Sequence, residues 1–356
     1  MTREVLGIIW FALVGVLLGG YAVFDGFDLG VGALYPFLGK TEHDKAVMRA
    51  SIGPVWDGNE VWLLTGGGAL FAAFPAVYAT VFSGFYLALM LVLFALIFRA
   101  VSLEFRAHDP EWGGLWDWAF TIGSALPALL FGVAVGNIAL GVPLAADGEF
   151  AGNFFTLLGF WRGFNPFPLT IGVLGLSMFL YQGASWLALK AEGDLYERTI
   201  ALRSKLGWVF AALVVVATAV TALFAKGAFT KVVSSPVGWL FVVLLIGSIA
   251  WGHLSAFGKK DRPAWYAASV SAISLTGVWA ASIFPNLVPS IGDGAGAATP
   301  SLSIAGGAGS VATYSSQLTL TTMLIIAIIG VPLVLFYFFL VYRVFKGKVT
   351  LDGEGY

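Results

Sequence analysis

The sequence holds no cysteine. That absence excludes disulfides, thiolate-ligated iron–sulfur or zinc sites and thioether attachment of a haem. Histidine is nearly as scarce, with only His43, His108 and His253. Haem ligation inside a helical bundle needs His or Met well within the bundle. His43 and His108 fall between apolar runs, and His253, near the end of one, reads as a packed or hydrogen-bonded residue. The five methionines are scattered and read as packing. Charge is also in short supply: 11% of residues are charged, the net charge is −1, and no basic block exceeds Lys259-Lys260. A nucleic-acid partner therefore has no electrostatic footing. No phosphate loop, nucleophile triad or convincing metal site is present.

What remains is 59% hydrophobic, too apolar for a water-facing surface and suited to a bilayer. Runs long enough to cross roughly 30 Å of hydrocarbon predict an all-α integral membrane protein with about nine transmembrane helices. They lie near 5–36, 50–72, 76–100, 113–141, 164–190, 204–225, 236–257, 263–284 and 316–345. The first run exceeds a signal-peptide core in length and leads into charged residues instead of a cleavage site, so it reads as a retained helix. With the N-terminus outside and the C-terminus inside, the inner segments hold all but Arg3, Arg162, Lys226 and Lys231 of the 19 lysines and arginines. This positive-inside bias requires an odd number of spans, which nine satisfies.

GVLLGGYAVFDGFD (15–28) aligns with GVLGLSMFLYQGAS (172–185), pairing Gly15 with Gly172, Gly26 with Gly183, Asp25 with Gln182 and Asp28 with Ser185. The alignment hints at parallel repeats, although apolar glycine-rich stretches also align by chance. The expected organisation is a four-helix bundle over 1–142, a second over 143–285, a loop over 286–315, and a ninth helix with a cytoplasmic tail over 316–356. The loop, rich in Gly, Ala and Ser with Asp293 as its single charge, reads as flexible surface. The spacings Gly15/Gly19, Gly26/Gly30 and Gly132/Gly136 allow close helix contact.

An ionised carboxylate at the centre of a membrane helix costs roughly 2.5–3.5 kcal/mol, so each needs a partner, water or a proton. Asp25 and Asp28 share one face of the first helix, and Asp57 and Glu60 one face of the second, each pair at i, i+3. With about 1.5 Å rise per residue, both pairs come to similar depth on the inner side. Asp117 sits about one turn into the fourth helix from the same side. A one-sided row of acids suits proton uptake. The blander reading is helix-end placement or pairing with arginines such as Arg49 and Arg99, and Asp117 alone fits it better. Dipole placement does not account for Asp25 and Asp28 at the far end of the first helix. The many Trp and Phe residues read as interfacial belts and lipid-facing packing, and Trp56 as a minority quinone contact.

Several segments, in order along essentially the whole chain, resemble subunit II of cytochrome bd-type quinol oxidases. They are GYAVFDGFDLGVG (20–32), GPVWDGNEVWLLTGGGALFAAFP (53–75), FSGFYLAL (82–89), LWDWAF (115–120), GVAVGN (132–137), FPNLVPS (284–290) and SSQLTL (315–320). The resemblance implies a subunit of a terminal oxidase that reduces dioxygen to water with electrons from membrane quinol. It implies two b-type haems and one d-type haem in the complex, held by a larger subunit I that forms a heterodimer with this chain. It implies a proton pathway through Asp25, Asp28, Asp57 and Glu60, with Trp56, Asn59, Arg99 and Asp117 as supporting or quinone contacts, and no catalytic or metal-ligating residue in this subunit. Protonmotive force would then arise without pumping. Small accessory single-helix subunits, membrane lipid and quinone complete the expected partners, in a bacterial or archaeal cytoplasmic membrane. A proton-coupled transporter and a purely structural scaffold are the competing readings of the same acids.

Overall fold

A computed structural model describes residues 1–160, 163–292, 299–306 and 309–351. Arg162, of the outer segments, and Asp293, the single charge of the 286–315 loop, lie outside the described residues. The first half contains α1 (Arg3–Leu38), α2 (Glu42–Ile52), α3 (Trp56–Ala73), α4 (Pro75–Gly84), α5 (Tyr86–Phe105), α6 (Gly113–Leu140) and the single turn α7 (Phe154–Leu157). There follow α8 (Phe167–Lys190), α9 (Gly193–Phe224), α10 (Lys226–Ser234), α11 (Pro236–Phe257) and α12 (Asp261–Ile283). Three short strands, β1 (Asn286–Val288), β2 (Ser301–Ser303) and β3 (Ser310–Ala312), precede α13 (Gln317–Val344).

Among the described residues, eight helices (α1, α5, α6, α8, α9, α11, α12 and α13) are long and apolar enough to cross a membrane. The remaining expected span, 50–72, corresponds to the 18-residue α3, whose start carries Asp57, Asn59 and Glu60. The span expected over 76–100 is divided at Phe85 into α4 and α5. The stretch expected to link the first two spans forms α2, closed by a capping box in which the Thr41 hydroxyl accepts from the Asp44 amide and the Asp44 carboxylate accepts from the Thr41 amide. His43 therefore lies on a helix, not in a loop.

The centre of the molecule is α1. From Tyr21 to Tyr35 nearly every residue is buried, because α1 is packed by α3, α6, α8 and α12 together. In the first half α1 packs on α3 and α5 on α6; in the second, α8 packs on α9 and α11 on α12. The halves meet through α1 on α8, α6 on α8 and α1 on α12. Glycine allows the closest of these contacts. A Cβ on Gly30 would lie 1.9 Å from the Phe179 carbonyl oxygen, and one on Gly183 would lie 2.4 Å from the Gly30 carbonyl carbon. Gly132 and Gly172 meet in the same way between α6 and α8. A Cβ on Gly15 would meet nothing within 4 Å and one on Gly19 only the Thr276 side chain at 3.8 Å, so the Gly15/Gly19 spacing marks no comparably close crossing. At the periphery, α13 buries only Leu320 and Phe338.

The expectation of a flexible 286–315 segment is corrected for the described residues. There β1 pairs antiparallel with β2, and β2 parallel with β3. Leu287, Val288, Leu302 and Ile304 are buried in one apolar cluster with Leu6 and Trp10 of α1. Small residues form the strands and a few large aliphatics anchor them, a division that bulk composition hides. The Arg3 guanidinium donates to the Ser315 carbonyl at 2.9 Å, and the Ser315 amide to the Ala73 carbonyl at 2.9 Å. This sheet marks one end of the bundle; α2 and the start of α6 mark the other, charged end.

Candidate carboxylate site

The i, i+3 spacing on α1 sends both Asp25 and Asp28 into the interior, where each is completely buried. Arg99, from α5 and equally buried, meets Asp25 with two parallel contacts, Nη2 to Oδ1 at 2.8 Å and Nη1 to Oδ2 at 3.2 Å. A planar guanidinium matches a carboxylate in this forked geometry. The same Nη1 reaches Glu60 Oε1 at 3.3 Å, and Nη2 comes within 3.9 Å of Asp28 Oδ2. Asp28 is held instead by Asn59 of α3, whose amide donates to Oδ2 at 2.7 Å and to the Phe24 carbonyl at 3.2 Å. Tyr342 of α13 donates to the Asn59 carbonyl oxygen at 2.9 Å.

One guanidinium faces three carboxylates, and that excess of acid is the chemical capacity of the site. Asp28 Oδ1, the Tyr21 hydroxyl, Gln182 Oε1, Trp62 Nε1 and Arg99 Nε are buried and have no hydrogen-bond partner among the described residues. Gln182, aligned by sequence with Asp25, donates to the Val23 carbonyl at 2.7 Å and so reaches α1 beside the acids. An aromatic wall covers the cluster: Phe24 lies 5.3 Å from Trp62 and 5.0 Å from Phe338, ring centre to ring centre. Phe338 and Tyr342 are also stacked.

Two acids weighed with this group lie elsewhere. Asp57 is exposed at the start of α3 and, among the described residues, forms no ion pair; Glu60, one turn on, is the α3 acid that joins the cluster. Trp56 beside it is half-buried. Asp117 belongs to a separate network at the charged end, 2.7 Å from both Lys45 Nζ and Arg106 Nε. Its partners are thus Lys45 and Arg106, not Arg49 or Arg99, and Arg49 donates to the Tyr35 hydroxyl. Glu42 closes the network, 2.6 Å from Arg106 and 3.2 Å from Lys45. Slight burial would raise the Glu42 carboxyl, but hydrogen bonds from Lys45 and Arg106 outweigh it and hold it below the usual carboxylate range. Bonding to Asp117 correspondingly raises the Lys45 ammonium.

His253 is packed and hydrogen-bonded within the bundle. His253 Nδ1 contacts the Ile249 carbonyl at 2.8 Å, and its ring packs 4.3 Å from that of Trp208. The adjoining cavity, about 40 Å³ between Tyr181, Arg203 and Gly207, has room for water and none for a macrocycle. Among the described residues no group of three or more His, Asp or Glu side chains is placed to hold a metal ion.

Fold and site together define a polytopic, nearly all-α membrane protein with a buried cluster of carboxylates around one arginine. A family model described as cytochrome bd terminal oxidase subunit II matches residues 6–345, and the chain belongs to that family. It is 38% identical to a probable cytochrome oxidase subunit 2 of Haemophilus influenzae and 37% identical to the cytochrome bd-I ubiquinol oxidase subunit 2 of Escherichia coli, each over 98% of this chain and 96% of the relative. With the cytochrome bd ubiquinol oxidase subunit 2 of Bacillus subtilis it shares 34% identity over 79% of this chain and 81% of that one. A chain from the structure of the bd oxidase of Geobacillus thermodenitrificans superposes with a TM-score of 0.76 at 17% identity, covering 97% of this chain and 99% of the other, which shows a common fold.

Proposed function

We propose that this chain is the haem-free partner in a membrane quinol:oxygen oxidoreductase and that its buried carboxylates carry protons towards the site of oxygen reduction. Family membership supports the oxidase assignment. The single observation that carries the proton role is the burial of Asp25 and Asp28 beside Glu60 with one guanidinium among them. A purely structural ion pair needs one carboxylate, not three.

Reducing one dioxygen to two waters consumes four electrons and four protons. In this reading the electrons come from quinol, and the haems, two b-type and one d-type, sit in subunit I. This chain supplies protons from the charged end, which the positive-inside bias assigns to the cytoplasm, with the N-terminus and the small sheet outside. Asp57, exposed at the head of α3, receives a proton from water. Glu60 stands one turn deeper, and Asp25 and Asp28 lie beyond it. Buried water bridges the unpartnered oxygens of Asp28, Tyr21 and Gln182. Protons taken from inside meet electrons from quinol oxidised near the outside, so charge separates without a pump. The two halves, 1–142 and 143–285, are two four-helix bundles derived from one repeat, supported by the matching α1–α3 and α8–α9 packing; only the first retains the acids. Accessory single-helix subunits and lipid cover the remaining apolar surface.

The visible spectrum of the purified complex tests the oxidase reading. Haem d absorption, present when a second large subunit copurifies, is the expected result. A haem-free protein that carries a solute with protons would replace this reading with a transporter.

A further inference from the structure

Outside the sheet end, α13 touches the bundle at few places. One face near its charged end carries Phe338 and Tyr342, four residues apart and therefore stacked one above the other. Phe338 is buried against Phe24 and Trp62. Tyr342 passes the ring wall, and its hydroxyl donates to Asn59 at 2.9 Å.

Asn59 is completely buried, and its amide has two possible orientations with opposite consequences. In the observed one, the two N–H bonds point at oxygens of α1, Asp28 Oδ2 at 2.7 Å and the Phe24 carbonyl at 3.2 Å. Turned over, the amide oxygen would face the Asp28 carboxylate at the same short distance, acceptor against acceptor. The Tyr342 hydroxyl donates to the oxygen that must stay away from Asp28.

Resting on the carboxylate route proposed above, we infer that Tyr342 is a positioning residue for proton transfer: it locks the Asn59 amide in the orientation that presents an N–H to Asp28. Through this contact α13 acts on the buried acids from the edge of the bundle. The end of α13 is tied to α8. Lys190 of α8 donates to the Phe345 carbonyl. Lys348 donates to the Ala188 and Ala191 carbonyls at 3.0 and 2.7 Å, capping the end of α8 with the segment that follows α13.

The test uses the assembled, haem-loaded complex. Tyr342→Phe keeps the ring and removes the hydroxyl. It is expected to lower kcat about fivefold, the scale of one ordinary hydrogen bond, with the quinol KM and haem content unchanged. Tyr337→Phe, an exposed hydroxyl on the same helix, is expected to match the parent. In an Asn59→Ala background, Tyr342→Phe is expected to have no further effect, because the hydroxyl acts through the amide. Unchanged kcat in Tyr342→Phe, when Asp28→Asn is slow, overturns the inference alone. So do effects that multiply in the Asn59→Ala background, or haem loss with normal turnover per remaining haem. Normal turnover in Asp28→Asn removes the underlying carboxylate route itself.

Discussion

Arg99 and Asp25 lie on different helices, both without solvent exposure, and face each other through two contacts of 2.8 and 3.2 Å. Removing one partner of such a pair strands a buried charge, at a cost of about 3–5 kcal/mol. Arg99→Leu is therefore expected to cut the yield of assembled complex severely. Adding Asp25→Asn removes the carboxylate held most closely by Arg99 and should recover part of it. Haem content of solubilised membranes reads both variants, and a double variant no better than the single one contradicts the pairing.

The crossing of α1 and α8 has no room for a methyl group at Gly30, where a Cβ would meet the Phe179 carbonyl oxygen at 1.9 Å. Gly30→Ala must push two backbones apart, a cost of at least about 1–3 kcal/mol. Gly15→Ala, in the same helix with nothing nearby, should be neutral or stabilise by up to about 1 kcal/mol. Thermal unfolding of the detergent-solubilised complex separates the two, and equal effects would contradict the close crossing.

At the charged end, burial would raise the Asp44 carboxyl. The Thr41 amide and hydroxyl, the Arg198 guanidinium and the Lys40 amide outweigh that and hold it below its usual value. A depressed folded-state value means that Asp44 stabilises the fold above the ordinary carboxylate range, near pH 4, and that this contribution fades as pH falls through the folded value. Asp44→Asn should thus destabilise the fold at pH 7 by the worth of a helix cap, about 1 kcal/mol, read as a lower melting temperature. The gap to the parent should close in strong acid; a gap independent of pH would refute the ionic origin.

Asp117 offers a contrast with the buried acids. Its ties to Lys45 and Arg106 are partly exposed, and such pairs contribute about 0–1 kcal/mol. Asp117→Asn is expected to leave turnover per haem unchanged and to lower thermal stability slightly. A large loss of turnover would move Asp117 from the surface network into the proton route.

Much of this was legible in the chain. Spans follow from long apolar runs, and Asp25 and Asp28 stand out because carboxylates are costly there. Asp57 and Glu60, paired by spacing, separate in the fold: helical periodicity states which residues share a face, but not which of them the neighbouring helix covers. Arg49 and Arg99 are equally eligible in the sequence as partners for the acids; that Arg99 holds Asp25 depends on where α5 lies relative to α1. Nothing in the sequence singles out Tyr342. It sits in the aromatic-rich YFFLVYR, where a hydroxyl looks like one more interfacial ring, and its partner Asn59 is 283 residues away. The strands β1–β3 are not legible in the sequence because their order comes from a few anchors against α1 and not from composition.

The most direct test of the central claim is the oxygen-consumption rate per haem of the purified complex carrying Glu60→Gln. Glu60 makes a single contact with Arg99 and is partly exposed, so the substitution removes a titratable oxygen with little structural cost. A fall of roughly tenfold or more at full haem content is expected for the loss of a proton-transferring group. Parent-level turnover at full haem content would contradict proton delivery through this subunit.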